Sequence, residues 1–159
     1  MYKSQNTLSK IIDFTGIGLH SGERVKISLI PTAIDTGINF KINNTLILAS
    51  WQNAVVSQLC TRLKFRENAI STIEHLMAAI SGLGITNLII QINSNEVPIL
   101  DGSSKEFVDE IRNVGITEQN KKQKILKILK NVEHKEQEKF IHISPSKKKS
   151  LSIDYTIDY

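Results

Sequence analysis

The chain has 159 residues, 40% hydrophobic and 23% charged, with a formal net charge of +4. That is one domain's worth of sequence, or one and part of another; it is enough to bury a core, and it excludes a disordered tail, a collagen-like fibre and a disulfide-stapled mini-protein. A single cysteine makes no internal disulfide, no apolar run reaches the roughly 18–20 residues of a membrane helix, and Met1–Asn6 leads into no apolar signal segment, so the reading is a cytoplasmic protein.

The first third predicts strands. Leu8–Phe14 is a β-prone run, followed by the glycine-rich Thr15-Gly16-Ile17-Gly18-Leu19-His20-Ser21-Gly22. Arg24–Ile30 alternates polar and apolar residues and is closed by Pro31, the pattern of a half-buried strand. A short strand is expected at Gly37–Ile42, and more irregular strands between Thr45 and Leu63. Ser71-Thr72-Ile73-Glu74 then has capping-box spacing, and Ile73, Leu76, Met77 and Ile80 recur at helical intervals until Gly82 and Gly84. Asn87–Ile92 reads as a strand and Asn93-Ser94-Asn95 as a turn. Ser103-Ser104-Lys105-Glu106 repeats the capping-box spacing before a second helix that Gly115 ends, and the polar Thr117–Lys122 reads as a linker.

Beyond it, Lys124–Val132, Lys139–Ser144 and Leu151–Ile157 predict three further strands. Lys139–Pro145 echoes Arg24–Pro31, an alternating strand ended by proline, as though the opening strand unit began again. Three strands with an uncovered apolar face are a poor folding unit. The economical organisation is a complete α+β domain over residues 1–120, a sheet with two helices. Residues 121–159 would then form a linker and the start of a truncated second domain.

Charge divides along the same line. Residues 1–120 hold ten Lys/Arg against eleven Asp/Glu, whereas residues 121–149 hold ten lysines and three acids. A nucleic-acid or anionic-lipid patch would explain this excess, and so would solvated strand edges protected by lysine. Phe140 is the only aromatic residue in that stretch for a base to stack on, which favours the solvated edges over a nucleic-acid partner.

Four histidines are candidates for chemistry. His134 and His142 lie in the lysine-rich region and read as exposed or half-buried residues. His20 lies in the glycine-rich segment, where backbone can approach a ligand closely, but Gly16-x-Gly18-x-x-x-Gly22 misses the dinucleotide fingerprint. On a helix starting near Ser71, His75 points away from the apolar stripe, toward Ala78, Ala79 and Gly82. Glu74 serves equally as a capping-box partner of the Ser71 backbone or as a functional carboxylate, His75 equally as a surface residue, and Cys60 as packing or as a ligand. A Glu-His pair alone does not specify a metal site. Ser71 and Ala79 stand at the i−4 and i+4 places of a second helical histidine, and a catalytic zinc takes about three protein ligands.

Several segments together resemble a known family. They are Thr15–Gly22, Leu59-Cys60-Thr61, Ser71-Thr72-Ile73-Glu74-His75-Leu76, Gly82-Leu83-Gly84-Ile85-Thr86-Asn87 and Glu96-Val97-Pro98-Ile99-Leu100-Asp101-Gly102-Ser103. Their order and spacing resemble UDP-3-O-acyl-N-acetylglucosamine deacetylase, the zinc amidase at the committed step of lipid A synthesis. Ser152–Tyr159 further resembles an early strand of that family's second domain. The resemblance implies two α+β domains of similar topology, that of an RNA-binding ribosomal-protein domain, with the active site between them. It implies that His75 is a zinc ligand and Glu74 the general base that takes a proton from the attacking water. It places His20, Cys60 and Thr61 near the substrate, a UDP-linked acylated glucosamine, and Asp101 in a supporting role.

In the family the second domain supplies the remaining zinc ligands, and they are absent here, since His134 and His142 precede the corresponding segment. The expectation is therefore a half-site, inactive alone, that needs a separate chain or segment to supply the rest. The alternative is a non-catalytic module that binds RNA or an anionic surface through residues 121–149.

Overall fold

Strand β3 (Arg24–Pro31) is built as its alternation predicts: Val25, Ile27 and Leu29 are fully buried while Arg24 and Lys26 face solvent. It lies inside a five-stranded mixed sheet, between β2 (Ile12–Ile17) and β9 (Leu88–Ile92), both antiparallel to it. Beyond β9 come β4 (Ile38–Ile42), parallel to it, and the edge strand β5 (Thr45–Leu48). The computed structural model describes residues 3–147 and 150–157. The chain divides into two compact units, Met1–Gln123 and Lys124–Tyr159.

Two helices, α1 (Glu74–Gly82) and α2 (Lys105–Val114), complete the first unit as an α+β fold. Leu76, Ala79 and Ile80 from α1, and Phe107 and Ile111 from α2, join the inward side chains of the sheet in one apolar core. Phe107 meets Phe14 of β2 edge to face, with ring centroids 4.9 Å apart. Between β5 and α1 the chain makes a 3-10 turn (Trp51–Asn53) and a small antiparallel sheet of β6 (Ala54–Val55), β7 (Arg62–Phe65) and β8 (Asn68–Ile70).

Several sequence expectations are corrected. The run Leu8–Phe14 is two strands: β1 (Ser4–Leu8) ends at an exposed bend at Ser9–Ile11 before β2 begins. Thr117–Lys122 is not a linker but part of β10 (Ile116–Lys122), antiparallel to β1. Its polarity misleads because the ribbon is held by amides rather than by apolar burial. Buried Asn87 donates to Gln5 Oε1 at 2.8 Å and to Gln119 Oε1 at 2.7 Å, and accepts from the Gly37 amide at 2.9 Å. Gln119 in turn donates to the Thr32 carbonyl. The first unit therefore runs through Gln123, three residues past the expected boundary at 120.

Neither capping box forms. Helix α1 starts at Glu74 with Ile73 as its cap and no side-chain cap bond, whereas at α2 the Ser103 hydroxyl does accept from the Lys105 amide but the Ser103 amide goes to Asp101 rather than to Glu106. Ala79, expected beside His75, turns into the core, while Ala78 and Gly82 stay exposed.

Among its described residues the second unit contains one hairpin, β11 (Val132–Glu136) with β12 (Lys139–Ile143), in place of the three expected strands. Lys139–Ser144 coincides with β12. The expected strand Lys124–Val132 is irregular up to Val132, which opens β11, and Leu151–Ile157 is not a strand; Leu126, Leu129, Leu151 and Ile153 are largely exposed. A β-prone segment needs a neighbouring ladder and a covered face, and these segments have neither within their unit. Lys148 and Lys149 of the basic stretch, and Asp158 and Tyr159, lie outside the described residues.

Candidate active site

The expected site residues come from four segments, and all but the one carrying His20 share a backbone peculiarity. Leu59, Thr72 and Leu100, which precede Cys60, Glu74 and Asp101 by one or two positions, all have left-handed backbone, with φ of 59°, 58° and 51°. Leu and the β-branched Thr adopt that region only under strain, and such strain concentrates where structure serves function.

Glu74 opens α1, and its Oε2 accepts a 3.0 Å hydrogen bond from the Thr61 amide. The Thr61 carbonyl accepts in return from the Ile73 amide at 3.4 Å. Thr61 thus braces the first turn of α1 through its backbone, and this bond replaces the expected one between Glu74 and Ser71. His75 follows, half-buried, with its carbonyl receiving the Ser104 hydroxyl at 2.8 Å. Asp101 accepts from the Ser103 amide and hydroxyl, both at 2.9 Å, which holds its carboxyl below the usual range. The Ser103 hydroxyl accepts from the Lys105 amide. Asp101 therefore builds the entry to α2, and that entry touches His75 through Ser104.

His20 and Cys60 line one open groove of about 580 Å3, together with Ser71 and Glu96. The Cys60 thiol lies 3.3 Å from the Ser57 hydroxyl. Glu74, His75, Thr61 and Asp101 are not among the groove's lining residues. The structure thus brings Glu74 to Thr61 and His20 to Cys60, and Ser71 on the groove wall leads directly into the Glu74-His75 turn.

Sequence reasoning gave no role to Glu96, the most strongly perturbed titratable group described. It is 3% exposed and carries no described ion pair. Burial pushes its carboxyl up. The His20 amide, the Ser21 hydroxyl and amide and the Thr72 hydroxyl more than offset that and hold it at about 2. The one signal available in sequence was a lone carboxylate in the run Asn95–Ile99, among apolar residues.

The donor set does not make a metal centre by itself. Among the described residues, no group of three or more His, Cys, Asp and Glu side chains is placed to hold a metal ion, fewer than the roughly three protein ligands a catalytic zinc takes. In the basic stretch, Lys121 pairs with Asp35 and thereby serves the first unit. No helix of the described residues is long and apolar enough to cross a membrane.

The first unit is thus an α+β fold whose Glu74-His75 turn opens a helix, is braced by the Thr61 amide and follows directly on the groove wall at Ser71. The model of the UDP-3-O-acyl N-acetylglycosamine deacetylase family matches residues 5–159, and the chain belongs to that family. Over 159 aligned residues it is 40% identical to the UDP-3-O-acyl-N-acetylglucosamine deacetylase of Legionella pneumophila strain Corby, covering 98% of this chain and 52% of the relative. Enzymes of the same name from Campylobacter hominis and Wigglesworthia glossinidia brevipalpis are 39% and 42% identical, and the alignments cover 53% of each. The chain spans about half the length of the curated relatives it matches.

Proposed function

We propose that this chain contributes one half of the active site of a deacetylase that hydrolyses the acetamide of a UDP-linked, 3-O-acylated N-acetylglucosamine, the committed step of lipid A synthesis. The observation that carries the reading is the Glu74-His75 turn braced on Thr61, in a chain about 40% identical to enzymes of that name. Glu74 is the general base: the Thr61 amide holds one carboxylate oxygen, which leaves the other to take a proton from the water that attacks the acetamide carbon. His75 is one protein ligand of a zinc whose other ligands come from outside this chain. When bound, the metal would polarise the amide carbonyl. His20 and Cys60 border the substrate from the groove, Thr61 orients Glu74, and Asp101 supports His75 through the start of α2. The second unit, with its exposed hairpin, is the opening of a second domain of the same topology, which a separate chain or segment completes.

The test is zinc retention. Dialysed against zinc and then against buffer, this chain alone should hold well under one equivalent, because one ligand does not retain the ion. A stoichiometric, tightly held zinc on the isolated chain would overturn the half-site reading.

A further inference from the structure

Residues Asn95–Ile99 run between the two halves of the candidate site and are bonded to each. On one edge, Ser71 donates its amide to the Asn95 carbonyl at 2.9 Å and accepts from the Val97 amide at 3.1 Å. On the other, the Ile99 amide donates to the Ile17 carbonyl at 2.9 Å, and Gly18 bridges Pro98. The Glu96 side chain doubles this connection. Its Oε1 accepts from the His20 amide and the Thr72 hydroxyl, both at 2.9 Å, and its Oε2 accepts from the Ser21 amide at 2.8 Å.

We propose that Glu96 is the positioning residue of this site: its carboxylate fastens the loop carrying His20 to the strained turn from which Glu74 and His75 leave. The proposal rests on the reading that His20, Glu74 and His75 serve one site. Thr72 has φ of 58°, a conformation that a β-branched residue keeps only when its surroundings impose it, and its buried hydroxyl is bonded to Glu96. Two residues later the Glu74 carboxylate must meet the Thr61 amide, so the dihedral at Thr72 sets where Glu74 lies. At the other end, Gly18 is glycine because the carboxylate occupies the space of a side chain: a Cβ there would lie 2.5 Å from Glu96 Oε2 and would also overlap the Ser21 hydroxyl. A neutral isostere supplies only one acceptor oxygen. In Glu96→Gln the amide nitrogen faces donors wherever it is placed, either the Ser21 amide or the His20 amide with the Thr72 hydroxyl.

The test is amide hydrogen exchange by NMR on the full 159-residue chain. In Glu96→Gln, the amides of His20, Ser21 and Thr61 should exchange about tenfold faster or more, and those of β3 and β9 should accelerate by no more than the loss of global stability read from urea unfolding. Thr72→Val, which removes one hydroxyl, should release Thr61 and leave Ser21 protected; Thr72→Ser should restore the wild-type rate at Thr61. A purely global stabiliser would accelerate all amides together and would not give this separable, hydroxyl-rescued pattern. A Thr61 amide that accelerates no more than the Ser21 amide in Thr72→Val overturns the proposal, and so does an unchanged Thr61 rate in both Glu96→Gln and Thr72→Val. If Glu96→Gln does not fold, the Thr72 pair decides alone by the Thr61 rate. The readout needs neither zinc nor turnover, so its failure leaves the deacetylase reading standing, and failure of that reading leaves this result interpretable.

Discussion

Glu96 makes the stability of the first unit depend on acid in a calculable way. Burial raises its carboxyl, but the bonds from His20, Ser21 and Thr72 outweigh that and bring it from an ordinary 4.5 down to about 2. At about 1.36 kcal/mol per pKa unit, that difference is about 3 kcal/mol of folding free energy at neutral pH. The folded value is depressed, so the contribution is fully present above pH 4.5 and is lost as pH falls toward 2. About 2 kcal/mol of it is gone by pH 3. Glu96→Gln does not titrate and lacks this component at every pH. Urea denaturation of wild type and variant at pH 6 and pH 3, followed by circular dichroism, isolates the effect, because every other carboxylate titrates in both proteins. The gap between the two should shrink by about 2 kcal/mol at pH 3. An equal gap at the two pH values would show that the Glu96 carboxylate is not held by these donors.

Two further perturbations probe the frame around the site. Asn87→Ala removes a buried side chain that joins Gln5, Gln119 and Gly37, and should cost about 3 kcal/mol in urea unfolding through the partners left unpaired; a loss under about 1 kcal/mol would mean that the β1–β10 ribbon is held otherwise. Ending the chain after Gln123 should leave the thermal midpoint of the first unit unchanged, whereas ending it after Gly115 strips β10 from β1 and should lower that midpoint by at least about 5 °C. Equal midpoints would restore the reading of Thr117–Lys122 as a linker.

Much of this frame was legible in the sequence wherever burial itself writes the pattern. The alternation at Arg24–Pro31, the helical stripe of Leu76 and Ile80 and the glycine stop at Gly115 all became the elements they predict. Reading failed where hydrogen bonds rather than apolar burial hold the chain. Thr117–Lys122 looks like a linker because Gln119, its anchoring residue, is bonded through Asn87, 32 positions away. Ser71-Thr72-Ile73-Glu74 has capping-box spacing, yet a left-handed Thr72 removes Ser71 from the helix and gives it to the Asn95–Val97 segment, leaving Glu74 for Thr61. Glu96 went unread for a related reason: its partners, at His20, Ser21 and Thr72, are distant in sequence and two of them are backbone amides, which no residue code displays. In the second unit, local β propensity was visible, but the ladder and cover that turn propensity into a strand are not local properties.

The central claim, that Glu74 and His75 form the working half of a deacetylase site, is tested most directly by complementation. This chain is combined with the separately expressed second half of one of its relatives, and acetate release from UDP-3-O-acyl-N-acetylglucosamine is measured with zinc present. The account predicts release only from the mixture. Glu74→Gln, which keeps an acceptor for the Thr61 amide but not the base, should reduce release by about 10²–10⁴. Undiminished release with Glu74→Gln, or no release from two folded halves shown to associate, would contradict it.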